Sequence, residues 1–365
     1  MKIGFASSDW SSTLKDDTGG LIPGGACWYR IMLPSREMAK RGHVVEVGTL
    51  IFNSKLGEFG IRPHTSPTGD LVHGGFDVIV MQRWMHDGVD ESIRIARSNG
   101  QVIVNDIDDH FFALHPKNRA NKGLQDSVVS LAHYRKTLAA SSLVTTSTPF
   151  LAEVVHSINA DAPTTVIRNG LETESWSSQP MSSEVASVGW IGALPWRSDD
   201  LQVLRGYLGP FLSEKGLSWY HGGSTGLDES TAAELAGVYL KTEQWVEPIR
   251  PVNLYPWLFR FLDIGLVPLS DCPFNKAKSA IKGMEYLAAG IPFLASSSPE
   301  YDALEEEIGE KIVVRSPKRW RKELERMLDP AVRESQLLAG SRTIQKMGMA
   351  QRAVEWEQAF TAAMA

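Results

Sequence analysis

The residues best equipped for chemistry lie between Asp271 and Ser298, in the run DCPFNKAKSAIKGMEYLAAGIPFLASSS. Lys276, Lys278 and Lys282 gather where a helix is expected to begin, and Glu285 follows within a turn of Lys282. Cations at a helix start are disfavoured by the macrodipole. Free amides at the same place attract anions. Lysines there fit a phosphate held between them, or a solvated basic turn. Glu285 suits either a surface pair with Lys282 or the hydroxyls of a sugar. A second group is Asn105-Asp106-Ile107-Asp108-Asp109-His110, where ionisable side chains crowd the carboxyl end of an expected strand. Close carboxylates perturb one another's protonation, as acid–base sites require. Helix capping and turn chemistry would use the same residue types.

These side chains need elements to hold them. Ile281, Met284, Leu287 and Ala288 recur at helical spacing, which predicts a helix over about 279–289, stopped by Gly290 and Pro292. Asp263–Leu269 and Phe293–Ala295 read as flanking strands, and 271–276 as a loop. The unit is therefore β-loop-α-β, with its loop at the strand end where open α/β sheets bind ligands. Upstream, Lys2–Ser7, Val44–Val47, Phe76–Met81, Val102–Val104 and Leu143–Thr146 read as strands, and 90–98 and 149–156 as helices. Residues 9–23 read as a polar loop. The turn Gly24-Gly25 leads into a helix that Pro34 is expected to kink. A linker rich in Ser, Gln and Pro spans about 172–187, and Val188–Gly192 starts a second strand series. Alternating strands and helices predict an α/β chain with parallel sheets.

The pattern Phe274-Asn275-x-x-Lys278-Ser279-x-x-Lys282-x-x-Glu285-Tyr286-x-Ala288-x-Gly290-x-Pro292 resembles the donor-binding segment of GT-B glycosyltransferases, and is similar to retaining family 4 and its relatives. The resemblance implies two Rossmann-like parallel-sheet domains facing a cleft, with a C-terminal helix crossing back to the first. Residues 1–180 would form the acceptor-side domain, 181–345 the donor domain and 346–365 the returning helix. It implies that Glu285 holds the donor ribose, that Lys278, Ser279, Lys282, Gly192 and Arg197 serve the diphosphate side, and that Asn275 also binds the donor. Gly24 and Gly25 would line the ligand from the first domain, and Asp106, Asp109 and His110 would be catalytic. Many members carry two glutamates with seven residues between them; here Ala277 occupies the earlier position, so its part would fall to Asn275 or Lys278. The implied donor is a nucleotide-sugar, UDP-sugar favoured over GDP-sugar, used without a metal. Asp106-x-Asp108 also resembles the metal-binding pair of the other glycosyltransferase class, GT-A, but sits in the wrong part of the chain for it. A nucleotide-sugar epimerase and a binding protein without catalysis are the alternatives. The acceptor, whether glycan, protein or modified base, is left open.

Composition narrows the class further. The chain has 365 residues, 43% hydrophobic and 22% charged, as a globular protein does. The formal net charge is −6, divided as −2 and −4 on either side of residue 180. Neither half offers the basic balance of a duplex-DNA binder. Two cysteines make neither a disulfide framework nor a metal set. The first residues read as a strand rather than a signal peptide, no run is long enough to span a bilayer, and a cytoplasmic protein is expected.

Overall fold

The computed structural model describes all residues except 16–20, 64–71, 115–127, 177, 193–198, 224–243 and 247–251. The chain divides into two compact units: one built from Met1–Phe112, the segment through Glu172, and Gly348–Ala365; the other mainly Thr173–Met347. The boundary between these units falls at 172/173, and the last segment of the first starts at Gly348.

Among the described residues, the first unit is organised on a seven-stranded sheet. Its strands are β1 (Lys2–Ser7), β4 (Val44–Asn53), β5 (Glu58–Pro63), β6 (Val78–Gln82), β7 (Val102–Ile107), β8 (Leu143–Thr146) and β9 (Thr164–Val166). The order is β5-β4-β1-β6-β7-β8-β9. All neighbours are parallel except the β4–β5 pair, an antiparallel edge. The succession runs from β1 outward through β4, then returns to β6 on the other side, so the topological switch point lies between β1 and β6. Ile3, Phe5, Val78, Val80 and Val104 face one core, which the helix Met349–Met364 completes with Ala353, Trp356 and Phe360. Ala6, Ile79, Met81 and Ile103 face the other, against Ile93 and Ala96 of the helix Val89–Ser98. Both faces are covered, which is why these strands read as unbroken apolar runs.

The second unit has a six-stranded sheet of order β12-β11-β10-β13-β14-β15, parallel throughout. The strands are β10 (Ser187–Ile191), β11 (Ser218–Gly222), β12 (Gln244–Val246), β13 (Ile264–Val267), β14 (Phe293–Ser296) and β15 (Val313–Val314). Its switch point lies between β10 and β13. Those two strands pair only at Val188–Ile264 and Gly189–Gly265. Beyond that the Tyr286 hydroxyl takes over, accepting from the Ile191 amide at 3.2 Å and donating to the Leu266 carbonyl at 3.2 Å. Gly265 makes room for it: a Cβ there would lie 2.6 Å from the Tyr286 ring.

Several local expectations are corrected. The segment read as a polar loop, 9–23, contains an antiparallel pair, β2 (Trp10–Lys15) with β3 (Leu21–Pro23). Pro34 lies within a helical run that continues from Gly25 to Lys40, and the π-helical turn Trp28–Met32 just before it interrupts the regular α-helix. The expected loop at 271–276 is in part a short helix, Pro273–Lys276, with Pro273 at its first position. Val102–Val104 is only half of β7, which runs on through Ile107. Among the described residues no helix is long and apolar enough to cross a membrane.

Candidate functional site

The donor segment sits beside the second switch point. The helix Ile281–Ala288 follows β13 and packs close to the sheet because Gly283 lies against Phe293 and Tyr301. Glu285 is not a surface residue: it is 2% exposed. Its Oε2 lies 2.5 Å from Lys282 Nζ and accepts from the Tyr255 hydroxyl at 3.1 Å. Tyr255 also contacts Lys282 Nζ directly, so the three polar groups close a triangle. The ammonium lies 5.0 Å above the Tyr255 ring and 5.7 Å from that of Phe259. Tyr255 belongs to the 3₁₀-helix Val252–Phe261 and was not singled out from the sequence. No spacing signal joins residues 255 and 285; only the fold does.

The other donor-side candidates take varied positions. Lys278 is half-buried, its ammonium 4.3 Å from the Phe274 ring centroid. Ser279 is half-buried immediately before the helix, whose N-cap is Ala280. Lys276 pairs with Asp271 at 3.1 Å on the surface. Asn275 is buried and turned inward: its amide nitrogen donates to Asp200 Oδ1 at 2.6 Å, to the Ser270 carbonyl at 2.9 Å and to Ser270 Oγ at 3.0 Å. That network fixes the turn after β13. Gly192 follows β10, but its amide donates to the Gly222 carbonyl at 2.9 Å, and its carbonyl lies 2.9 Å from His221 Nε2. Arg197 lies outside the described residues.

The catalytic candidates gather at the carboxyl edge of the first sheet, but not as one group. β7 extends past the point where the sequence suggests it ends. Side-chain alternation then places Asp106 on the Val102/Val104 face, inside the core. Asp106 is fully buried, and so is Arg30; the ion pair is 2.6 Å long, and Thr145 Oγ1 donates to the same oxygen at 2.8 Å. Arg30 also reaches the Ile167 carbonyl and Asn169, and stands 5.1 Å from the Trp356 ring. Asp106 is thus a core ion-pair partner, and Asp106 and Asp108 do not act as a pair.

Asp108 and Asp109 instead face Arg83, each 3.4 Å from its Nη2, while Asp9 lies 3.3 Å from Nη1. Arg83 closes β6 with φ of 63°, the left-handed conformation that costs an ordinary residue about 1–2 kcal/mol. Burial opposes its charge, yet Asp108, Asp9 and Asp109 outweigh burial and raise its pKa. Arg83 is thus strained and multiply paired at the switch point; nothing in the sequence signals it. Gly24 joins this edge by donating its amide to the Asp9 carbonyl at 2.8 Å. A Cβ on Gly24 would lie 2.3 Å from Asp9 Oδ2, so a larger residue there would have to displace the Asp9 carboxylate. Gly25, beside it, is exposed and opens the short helix Gly25–Cys27.

His110 is 8% exposed, between the edges of Phe112 and Phe150 at 6.5 and 6.2 Å. Its Nδ1 is buried without a hydrogen-bond partner. Burial lowers the pKa of the imidazole, so the ring is neutral at pH 7 and able to accept a proton.

Among the described residues no group of three His, Cys, Asp or Glu side chains could hold a metal ion. No family model and no curated protein matches the chain. Solved structures do. The Anabaena protein Alr3699/HepE in complex with UDP-glucose aligns with a TM-score of 0.63 at 13% identity, over 99% of this chain and 100% of that one. A UDP-forming α,α-trehalose-phosphate synthase from Burkholderia xenovorans aligns with a TM-score of 0.56 at 14% identity, over 80% and 75%. TarM aligns with a TM-score of 0.54 at 10% identity, over 78% and 54%. At such identities the likeness is one of fold, and the chain has the α/β fold of the GT-B glycosyltransferases.

Proposed function

We propose that this protein is a family 4-like glycosyltransferase. It transfers a sugar from a nucleotide diphosphate sugar, a UDP-sugar in our reading, to an acceptor hydroxyl, with retention at the anomeric carbon and without a metal ion. One observation carries the reading: a buried carboxylate, Glu285, held by Lys282 and Tyr255 on the helix that follows the switch-point strand β13. A buried carboxylate needs partners, and this one has them beside the strand end where open α/β sheets take ligands. That the HepE structure contains UDP-glucose, and that the synthase is UDP-forming, supports uridine as the base.

In the proposed reaction the second unit holds the donor. Glu285 accepts hydrogen bonds from the ribose hydroxyls. Lys278, Lys282, Ser279 and the first amides of the helix receive the negative charge that develops on the diphosphate as the anomeric C–O bond breaks with its electron pair. Arg197 is assigned to the same diphosphate, and Gly192 to the strand end beside it. Asn275 acts at one remove by fixing the turn through Asp200 and Ser270. The first unit serves the acceptor. Its oxygen forms the new bond to the anomeric carbon and gives up a proton, which His110 accepts with Asp109 beside it. Gly24 and Gly25 form the adjoining turn. Asp106 supports this edge through Arg30. The protein works in the cytoplasm.

Glu285→Ala tests the donor side. Charge-assisted hydrogen bonds to a carboxylate contribute about 1.5–3 kcal/mol each, so UDP affinity should fall about tenfold or more by calorimetric titration. Unchanged affinity in a folded variant would overturn the ribose assignment. EDTA should leave sugar transfer nearly intact, because lysine side chains and amides supply the positive charge. Loss on chelation with recovery on adding Mn²⁺ would show a metal-dependent reaction instead.

A further inference from the structure

We infer that Tyr255 is the positioning residue that keeps Glu285 aimed at the donor ribose when Lys282 moves to the diphosphate; this rests on the donor reading above. Lys282 Nζ now lies 2.5 Å from the carboxylate oxygen that the Tyr255 hydroxyl also holds. Under that reading one lysine has two claims on it, the carboxylate before the donor arrives and the diphosphate afterwards. An ammonium is a compact point charge on a flexible stem and can change partners. A carboxylate that loses its ammonium inside the protein needs another donor to stay charged and in place.

Tyr255 is built for that task. Its ring is boxed by Trp176 at 6.2 Å and 89°, and by Phe259 at 5.3 Å and 83°. Pro256 follows it directly inside the 3₁₀-helix, which fixes the backbone. Trp176 and Phe259 in turn pack edge to face at 5.1 Å, and Phe259 packs on Tyr286, the residue after Glu285. The ring is thus held by packing, with its hydroxyl on Glu285. The phenol does not touch the ribose in this account; it acts through Glu285. Without it, the carboxylate would lose one of the donors that orient it.

The test compares UDP with 2′-deoxy-UDP, because an effect that runs through Glu285 must appear in the preference between them. Wild type should bind UDP at least tenfold more tightly than 2′-deoxy-UDP by calorimetry. Glu285→Ala should bring the ratio close to one. Tyr255→Phe, which keeps the ring and its packing, should lower the ratio threefold or more. Equal weakening of both ligands in Tyr255→Phe would mean that the hydroxyl matters only for structure, and would overturn the inference. If Glu285→Ala collapses the preference while Tyr255→Phe leaves it intact, the donor reading stands and this inference falls. If wild type binds neither ligand, or if Glu285→Ala keeps the preference, the donor reading itself falls and takes the inference with it.

Discussion

His110→Ala should lower kcat for UDP release from the preferred UDP-sugar by about 10²–10⁴-fold, the usual contribution of a positioned general base. UDP affinity should stay within about threefold of wild type. The distinction follows from the side chain's place. It belongs to the first unit, while the residues assigned to the nucleotide belong to the second. A group that acts mainly in the transition state is lost from kcat and hardly from ground-state binding. Asp109→Asn should follow the same pattern with a smaller loss, since Arg83 would keep an amide partner. The pH profile gives an independent check. Burial holds the His110 pKa below its ordinary value of 6.5, so turnover should fall on the acid side below about pH 6.5. Stability carries the matching sign. The unfolded chain binds this proton more readily than the folded one, so His110 favours unfolding as pH drops through its unfolded value, and has no effect well above it. Near-wild-type turnover in both variants would return these residues to capping and turn roles.

Asp106→Ala should destabilise the first unit by about 3–5 kcal/mol, the cost of leaving a buried charge without its partner. Arg30 is 1% exposed and cannot reach water to recover its lost interaction. Thr145 loses its acceptor at the same time. Asp106→Asn keeps the shape and should cost less. Hydrogen exchange of amides in β1, β6 and β7 measures the effect unit by unit, which matters because a two-unit chain need not unfold in one step. Those amides should lose protection while β13 and β14 keep theirs. A stable Asp106→Ala protein with abolished turnover would instead make Asp106 a reacting carboxylate.

What the sequence could disclose depended on how local each signal was. The helix carrying Lys282 and Glu285 shows in its apolar periodicity, and the charges beside it in a single window. The burial of Glu285 does not show there, because Tyr255 is thirty residues away and reaches it only through the arrangement of β13 and the 3₁₀-helix. Asp106 was misplaced for a related reason. Polar side chains normally end a buried strand, and here Asn105 and Asp106 lie inside one. The compensating arginine is 76 residues upstream. The β2–β3 pair is hidden by Ser11, Ser12 and Thr13, which resemble loop composition. The antiparallel edge strand β5 is interrupted by Gly60 and ends on Pro63, and lacks the long apolar run of its neighbours. Arg83 could not have been found from local pattern at all, since arginine has no preference for the left-handed conformation. Gly24 shows the reverse: the sequence marks it as a turn, and the structure supplies the reason in the side chain of Asp9.

The path of the backbone has a consequence for biogenesis. The chain leaves the first unit at Glu172 and returns to it at Gly348. In between it builds the whole of the sheet that carries Glu285. Trp356 and Phe360, which seal the core over β1 and β6, therefore emerge from the ribosome only after the whole second unit. The first unit's strands, made before the second unit, must wait with an apolar face uncovered while that unit completes its own core. The first unit can therefore be completed only after the second has been made. Its nascent form is the stage at which a chaperone has most to shield.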